Sequence, residues 1–110
     1  MLTREELPDC PVATTLRLIG SKWKVFIIQR LLDKPYRFGE LRDSIEGISE
    51  KSLIEALRQM TDDGIIVRTE YPGLPRHVEY RLSELGESMR PMIQTMAEWG
   101  TAYQAIVREG

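Results

Sequence analysis

The chain has 110 residues, 42% of them hydrophobic and 29% charged, with a net charge of −2. This balance excludes a disordered polymer, and the length fits a single domain over residues 1–110. The longest apolar run, Val25-Phe26-Ile27-Ile28, is far shorter than the roughly 20 residues of a membrane span, so no membrane association is expected. One cysteine and one histidine exclude a disulfide framework and paired zinc ligands, so no metal or other cofactor is expected. The first residues carry no apolar stretch followed by a cleavage site, which predicts a cytoplasmic protein.

Asp9-Cys10-Pro11 is a helix start, with proline in the first turn, where its missing N–H has no intrahelical acceptor to lose. Val12, Leu16 and Ile19 then fall at i, i+4, i+7 and make an apolar face that Gly20 closes. Ser21 predicts the N-cap of a second helix reaching Leu32. That helix is apolar almost all round and should form the buried centre, with Pro35 beyond its end. Tyr36-Arg37-Phe38 reads as a short extended piece able to add a third strand. Phe38, Leu41 and Ile45 predict a short helix, and Gly47-Ile48 a tight turn. Ser49 is the N-cap of a helix from about Glu50 to Asp63, stopped by Gly64.

The period then changes from helical to alternating. Ile65 to Tyr71 and Val78 to Leu82 are two strands joined by the turn-forming Pro72-Gly73-Leu74-Pro75-Arg76. Ser83 predicts the start of a last helix to about Arg108, kinked at Pro91 because a backbone donor is lost there. Three helices, a turn within the second pair and a hairpin make a winged helix-turn-helix, mainly α with a small β wing (α+β). The core spans about 10–82 and a C-terminal helix about 83–108.

In such a fold the second helix of the pair enters the DNA major groove. Plotted at 100° per residue, Leu53, Ile54, Ala56, Leu57 and Met60 gather on its inner side. Lys51, Ser52, Glu55, Arg58 and Gln59, following Ser49, form the outer one. These are side chains whose donors and acceptors match base edges: Lys or Arg with guanine, Gln with adenine, Glu with cytosine. Charge supports this placement. Ser21 to Arg58 holds eight basic residues against six acidic, Gly64 to Leu82 three against two, and the acidic excess lies in the remainder. Lys22, opening the second helix, and Arg37 are candidate phosphate contacts, which position a protein on DNA without reading sequence.

Leu85, Met89, Met92, Met96, Trp99, Tyr103 and Ile106 are spaced 4, 3, 4, 3, 4, 3, a heptad-like apolar stripe. A domain this small already has a core in its first helices, so the stripe calls for a second surface, a homodimer partner or the subunit's own body.

Cys10-Pro11-Val12, Gly20-Ser21-Lys22-Trp23, Arg37-Phe38-Gly39-Glu40-Leu41, Gly47-Ile48-Ser49, Asp62-Asp63-Gly64-Ile65-Ile66 and Val78-Glu79-Tyr80-Arg81-Leu82-Ser83 occur in one order at close spacing. This series resembles the HxlR-type regulators, a MarR-like branch of winged-helix transcription factors of bacteria and archaea, from Cys10 to Trp99-Gly100. The resemblance implies a sequence-specific, double-stranded-DNA-binding homodimer acting on an inverted-repeat operator, with Val12 and Leu16 of the first helix completing the dimer interface. Spacing leaves Arg76 open between a solvated loop residue and a DNA contact; the resemblance favours the contact, with His77 beside it.

Several HxlR-type regulators sense electrophiles, quinones or oxidants through a cysteine at the Cys-Pro position, so the resemblance makes Cys10 a candidate redox sensor. The residues themselves leave two roles open for it, a thiol switch at the positive end of the first helix or a small N-capping residue under the dimer interface. Nothing points to an enzyme, because Cys10 and His77 form the only nucleophile–base pair and no phosphate-binding glycine loop occurs. The competing reading is a winged helix used for protein–protein contact without specific DNA binding, with Lys51 and Arg58 touching a partner.

Overall fold

The computed structural model describes residues 1–110. Cys10 has the extended backbone that a residue before proline is confined to, and α1 (Pro11–Ile19) follows it directly. It ends at Gly20 through a close approach: a Cβ there would stand 2.2 Å from the Leu16 carbonyl oxygen. The second helix, α2 (Lys24–Asp33), begins later than Ser21 predicted. Ser21 lies in a bend, Lys22 and Trp23 form a turn, and Trp23 takes the N-cap position with helical angles. Packing of the Trp23 ring against the core accounts for the delay, since it overrides a capping preference of about 1 kcal/mol. Ile27, Ile28 and Leu31 are buried, but Phe26 is exposed, so α2 is central on one face and open on another.

β1 (Tyr36–Arg37) pairs antiparallel with the returning wing strand, Tyr36 opposite Tyr80 and Arg37 opposite Glu79. α3 (Phe38–Ser44) starts at once, and the Glu40 carboxylate accepts the Arg37 N–H at 2.9 Å. α4 (Glu50–Asp62) is capped as expected, the Ser49 hydroxyl oxygen accepting the Ser52 N–H at 3.0 Å. Its end is a Schellman turn with Gly64 at φ +79°, in which the Ile65 N–H reaches Met60 O and the Gly64 N–H reaches Thr61 O.

β2 (Ile66–Tyr71) and β3 (His77–Leu82) form the hairpin, in sheet order β1-β3-β2. Ser83 then caps α5 (Glu84–Glu87) by accepting the Gly86 N–H, and its hydroxyl lies 2.6 Å from the Gly64 carbonyl oxygen. The last helix is not one kinked rod. It breaks after α5 and restarts as α6 (Arg90–Glu109), with Pro91 in the first turn. A proline inside a continuous helix would collide with the carbonyl four residues back, whereas one in the first turn forfeits nothing.

The centre of the body is Ile27, Ile28, Leu41, Leu53, Met60 and Ile65, all fully buried between the helices and the sheet. Ile93 is the one buried residue of α6 and holds that helix to the body, aided by Arg90 donating to Leu32 O at 2.8 Å.

Candidate nucleic-acid interface

α4 is amphipathic because its apolar residues recur at three and four positions, and Leu53, Ala56, Leu57 and Met60 are the ones buried. Ile54, expected inside, is 55% exposed. The helical wheel puts it at the edge of the apolar arc, and no element covers that edge. Lys51, Glu55 and Arg58 are exposed and form an outward ridge. Ser52 and Gln59, placed with that ridge on the wheel, are half-buried and turn to its flank. The Ser52 hydroxyl lies 2.9 Å from that of Ser49, so both serines shape the helix start.

Two grooves flank the ridge. One, of about 300 Å³, lies between α4 and the start of α2 and is lined by Ser21, Lys22, Trp23, Lys24, Ser52, Glu55, Ala56 and Gln59. Lys22 is exposed, with its ammonium 4.7 Å above the Trp23 ring. The other, of about 330 Å³, lies toward the wing and includes Ile54, Arg58, Thr61, Arg68 and Tyr80.

Arg68 continues into a third concavity that gathers Arg37, Arg76 and His77 around Glu70. The structure thus brings Arg37, chosen from the sequence as a phosphate contact, together with the wing pair Arg76 and His77. Glu70 joins two wing arginines, with Arg68 at 2.8 Å and Arg76 at 3.5 Å from its carboxylate. The Arg68 guanidinium, hydrogen-bonded to it, holds the Glu70 carboxyl below its usual range, with Arg76 adding to the effect. Glu70 and Tyr80 in turn raise Arg68. His77 stacks on Tyr71 across the base of the loop, ring centres 4.9 Å apart.

Sequence reasoning did not single out Arg68. Its signal was present in the strand alternation, which puts residues 68 and 70 on one face.

The exposed apolar surface lies elsewhere. Val12 and Leu16 of α1, Leu85, and Met96, Trp99, Tyr103 and Ile106 of α6 are exposed. Trp99 and Tyr103 stack with ring centres 5.6 Å apart. Met89 and Met92 differ from the rest of the expected stripe, because they are half-buried against the subunit's own core. Val107 extends the exposed set, and every residue from 101 onward is exposed. Cys10 is exposed at the N-cap of α1, and its side chain makes no capping hydrogen bond. Its backbone carbonyl nevertheless accepts the Thr14 N–H at 3.0 Å, as an N-cap residue does.

This helix pair and wing agree with the sequence relationships. Residues 18–107 match the family of HxlR-like helix-turn-helix proteins. The chain belongs to the HxlR-like helix-turn-helix family. It is 39% identical over 100 residues to the HTH-type transcriptional regulator YdeP of Bacillus subtilis, covering 91% of this chain and 78% of that protein. Among solved structures it is similar to the reduced form of the redox regulator HypR, with a TM-score of 0.84 and 35% identity over 92% of this chain and 100% of that one. The reduced form of the transcriptional regulator YodB from B. subtilis gives a TM-score of 0.75 and 34% identity, covering 84% and 91%.

The HxlR-like chain is accordingly a transcriptional regulator of the helix-turn-helix type with a winged-helix fold, in a family of DNA-binding proteins and not of enzymes. No helix is long and apolar enough to cross a membrane.

Proposed function

We propose that the protein is a homodimeric, sequence-specific regulator that binds an inverted-repeat operator in double-stranded DNA. The observation carrying this reading is the α4 ridge of Lys51, Glu55 and Arg58, presented outward between two grooves while its opposite face is buried. A ridge flanked by grooves suits a major groove about 12 Å wide with a phosphate backbone on either side. Arg76, His77 and Arg37 serve the wing side, with Arg68, and Lys22 the other. The exposed faces of α1 and α6 join two subunits, so two α4 helices meet half-sites about one helical turn, roughly 34 Å, apart.

Selection of bound genomic fragments at fixed salt, followed by titration against the best fragment and a scrambled duplex, tests the reading. Preference for an inverted repeat supports it. Equal affinity for both duplexes would leave protein–protein contact as the use of the α4 ridge.

Cys10 is assigned to regulation of that binding by a small electrophile or oxidant. Its exposure at the start of α1, beside Val12 and Leu16 of the proposed interface, supports this, as does the similarity to a redox regulator. An adduct there would shift one subunit against the other and spoil the match to the repeat. Diamide or quinone should change operator affinity of the wild type, and Cys10→Ser should bind DNA but ignore the reagent. Unchanged affinity after complete, mass-verified modification of Cys10 would refute the assignment.

A further inference from the structure

Lys24, at the start of α2, borders the flank of α4 opposite the wing. Lys24 is only 7% exposed, the most deeply buried charged residue of the chain. It takes part in none of the chain's ion pairs and none of its side-chain hydrogen bonds. No buried side-chain nitrogen or oxygen is left without a partner, so the Lys24 ammonium keeps a little solvent contact while its stem is packed away, and Lys24 lines the groove between α4 and the start of α2. A lysine held this way has already given up most of its rotamer freedom, and little ordering remains to oppose the capture of an anion.

The groove that Lys24 lines carries the donor set of an oxyanion seat. Lys24 is the first residue of the ten-residue α2, whose first-turn N–H groups have no intrahelical acceptor and whose dipole favours negative charge at this end. Ser21, Lys22, Ser52 and Gln59, each carrying a hydrogen-bond donor on its side chain, line the same groove. Glu55 is the one acidic residue of that lining, and it belongs to the outward ridge. On its far side Lys24 borders a second hollow that contains Glu6, Asp62 and Asp63 with Arg17, none of whose carboxylates pairs with it.

We propose that Lys24, with the start of α2, seats one backbone phosphate of the duplex on the flank of α4 away from the wing. The inference rests on the DNA-binding reading above. A non-esterified phosphate shares the chemistry, but the groove is walled by α4 itself, so an α4 in the major groove brings a duplex phosphate to this position.

The test compares wild type and Lys24→Met, which keeps the packed stem and removes the charge, on operator and scrambled duplexes from 50 to 200 mM salt. Loss of one phosphate contact should reduce the slope of log affinity against log salt by about 0.9 per subunit, equally for both duplexes. Over that fourfold range the advantage of wild type should shrink by about 3.5-fold per subunit. A neutral methylphosphonate placed singly beside the half-site should reveal one position that weakens wild type and leaves Lys24→Met unaffected. Lys24→Gln takes the place of Lys24→Met if thermal melting shows that variant unfolded.

Identical slopes, with wild type still preferring its operator, overturn the phosphate seat and leave the DNA reading standing. No preference by wild type overturns the reading itself. Thermal stabilisation of wild type, but not of Lys24→Met, by inorganic phosphate over chloride at matched ionic strength, with unchanged duplex slopes, assigns the seat to a free anion and overturns the duplex assignment.

Discussion

Trp99 offers the sharpest test of the proposed dimer. It is 70% exposed in the isolated subunit and stacks on Tyr103 on the outer face of α6. A tryptophan offers roughly 200 Å² for burial, so about 140 Å² of this ring is open to a partner. At about 25 cal/mol per Å² its burial contributes up to about 3.5 kcal/mol for each copy, and two-fold symmetry counts it twice. Part of that is offset by fixing the side chains and by lost rotational freedom. Even half of it corresponds to a change of more than a hundredfold in the dimer dissociation constant, at about 1.4 kcal/mol per factor of ten. Trp99→Ala should therefore sediment as a monomer at concentrations where wild type is a dimer. Its far-UV circular dichroism should match that of wild type, because the ring supports none of the buried core. A wild type that is monomeric at tens of micromolar, or a Trp99→Ala protein that dimerises as tightly as wild type, would refute the reasoning.

Arg58→Ala should weaken operator binding by about 1–3 kcal/mol and relax the preference at one base position, read by titrating a panel of single-base operator variants. A uniform loss over all sequences would reassign Arg58 to phosphate. Ser49→Ala removes the acceptor for the Ser52 N–H and should lower stability by about 1 kcal/mol in chemical denaturation; an unchanged midpoint would show the cap to be without weight. Glu70, held low by Arg68 and then Arg76, should keep its ion pairs throughout the neutral range. The pairs should be lost only as pH falls below the ordinary value of 4.5 and through the depressed one. Its side-chain carboxyl carbon should titrate lower in wild type than in Arg68→Ala, and equal midpoints in NMR would contradict the arrangement.

The parts of the fold that were legible in the sequence are those set by neighbours along the chain. Ser49 and Gly64 bracket α4 because a cap and a left-handed glycine act locally, and both ends fall within a residue of their signals. The alternation of Ile66 to Tyr71 and its return predict the wing for the same reason. α2 was misplaced at its start because Trp23 is drawn into the core, a tertiary effect that Ser21 does not announce. The break before α6 hid behind Pro91, which marks either an interrupted helix or a new one, and only packing at Ile93 decides which.

At the interface, the ridge residues followed from helical periodicity. The grouping of Arg37, Arg68, Arg76 and His77 around Glu70 did not, because it is assembled across three strands and a loop. Lys24 escaped notice for a related reason. In sequence it is one more basic residue beside Lys22, and only burial separates the two.

The hydroxyl of Ser83 touches the carbonyl that ends α4 and also caps the helix leading to α6. One small side chain thus fastens the trailing end of α4 to the start of α5, from which the chain leads into α6. The hairpin that separates them in sequence is bypassed by these two hydrogen bonds. A helix of α6's length spans roughly 30 Å, so a tilt of about 5° at its root displaces the far end by about 3 Å. The pitch of the exposed arm is thus set at its root, by Ile93, by the Arg90 bond to Leu32 O and by the Ser83 contacts that precede them.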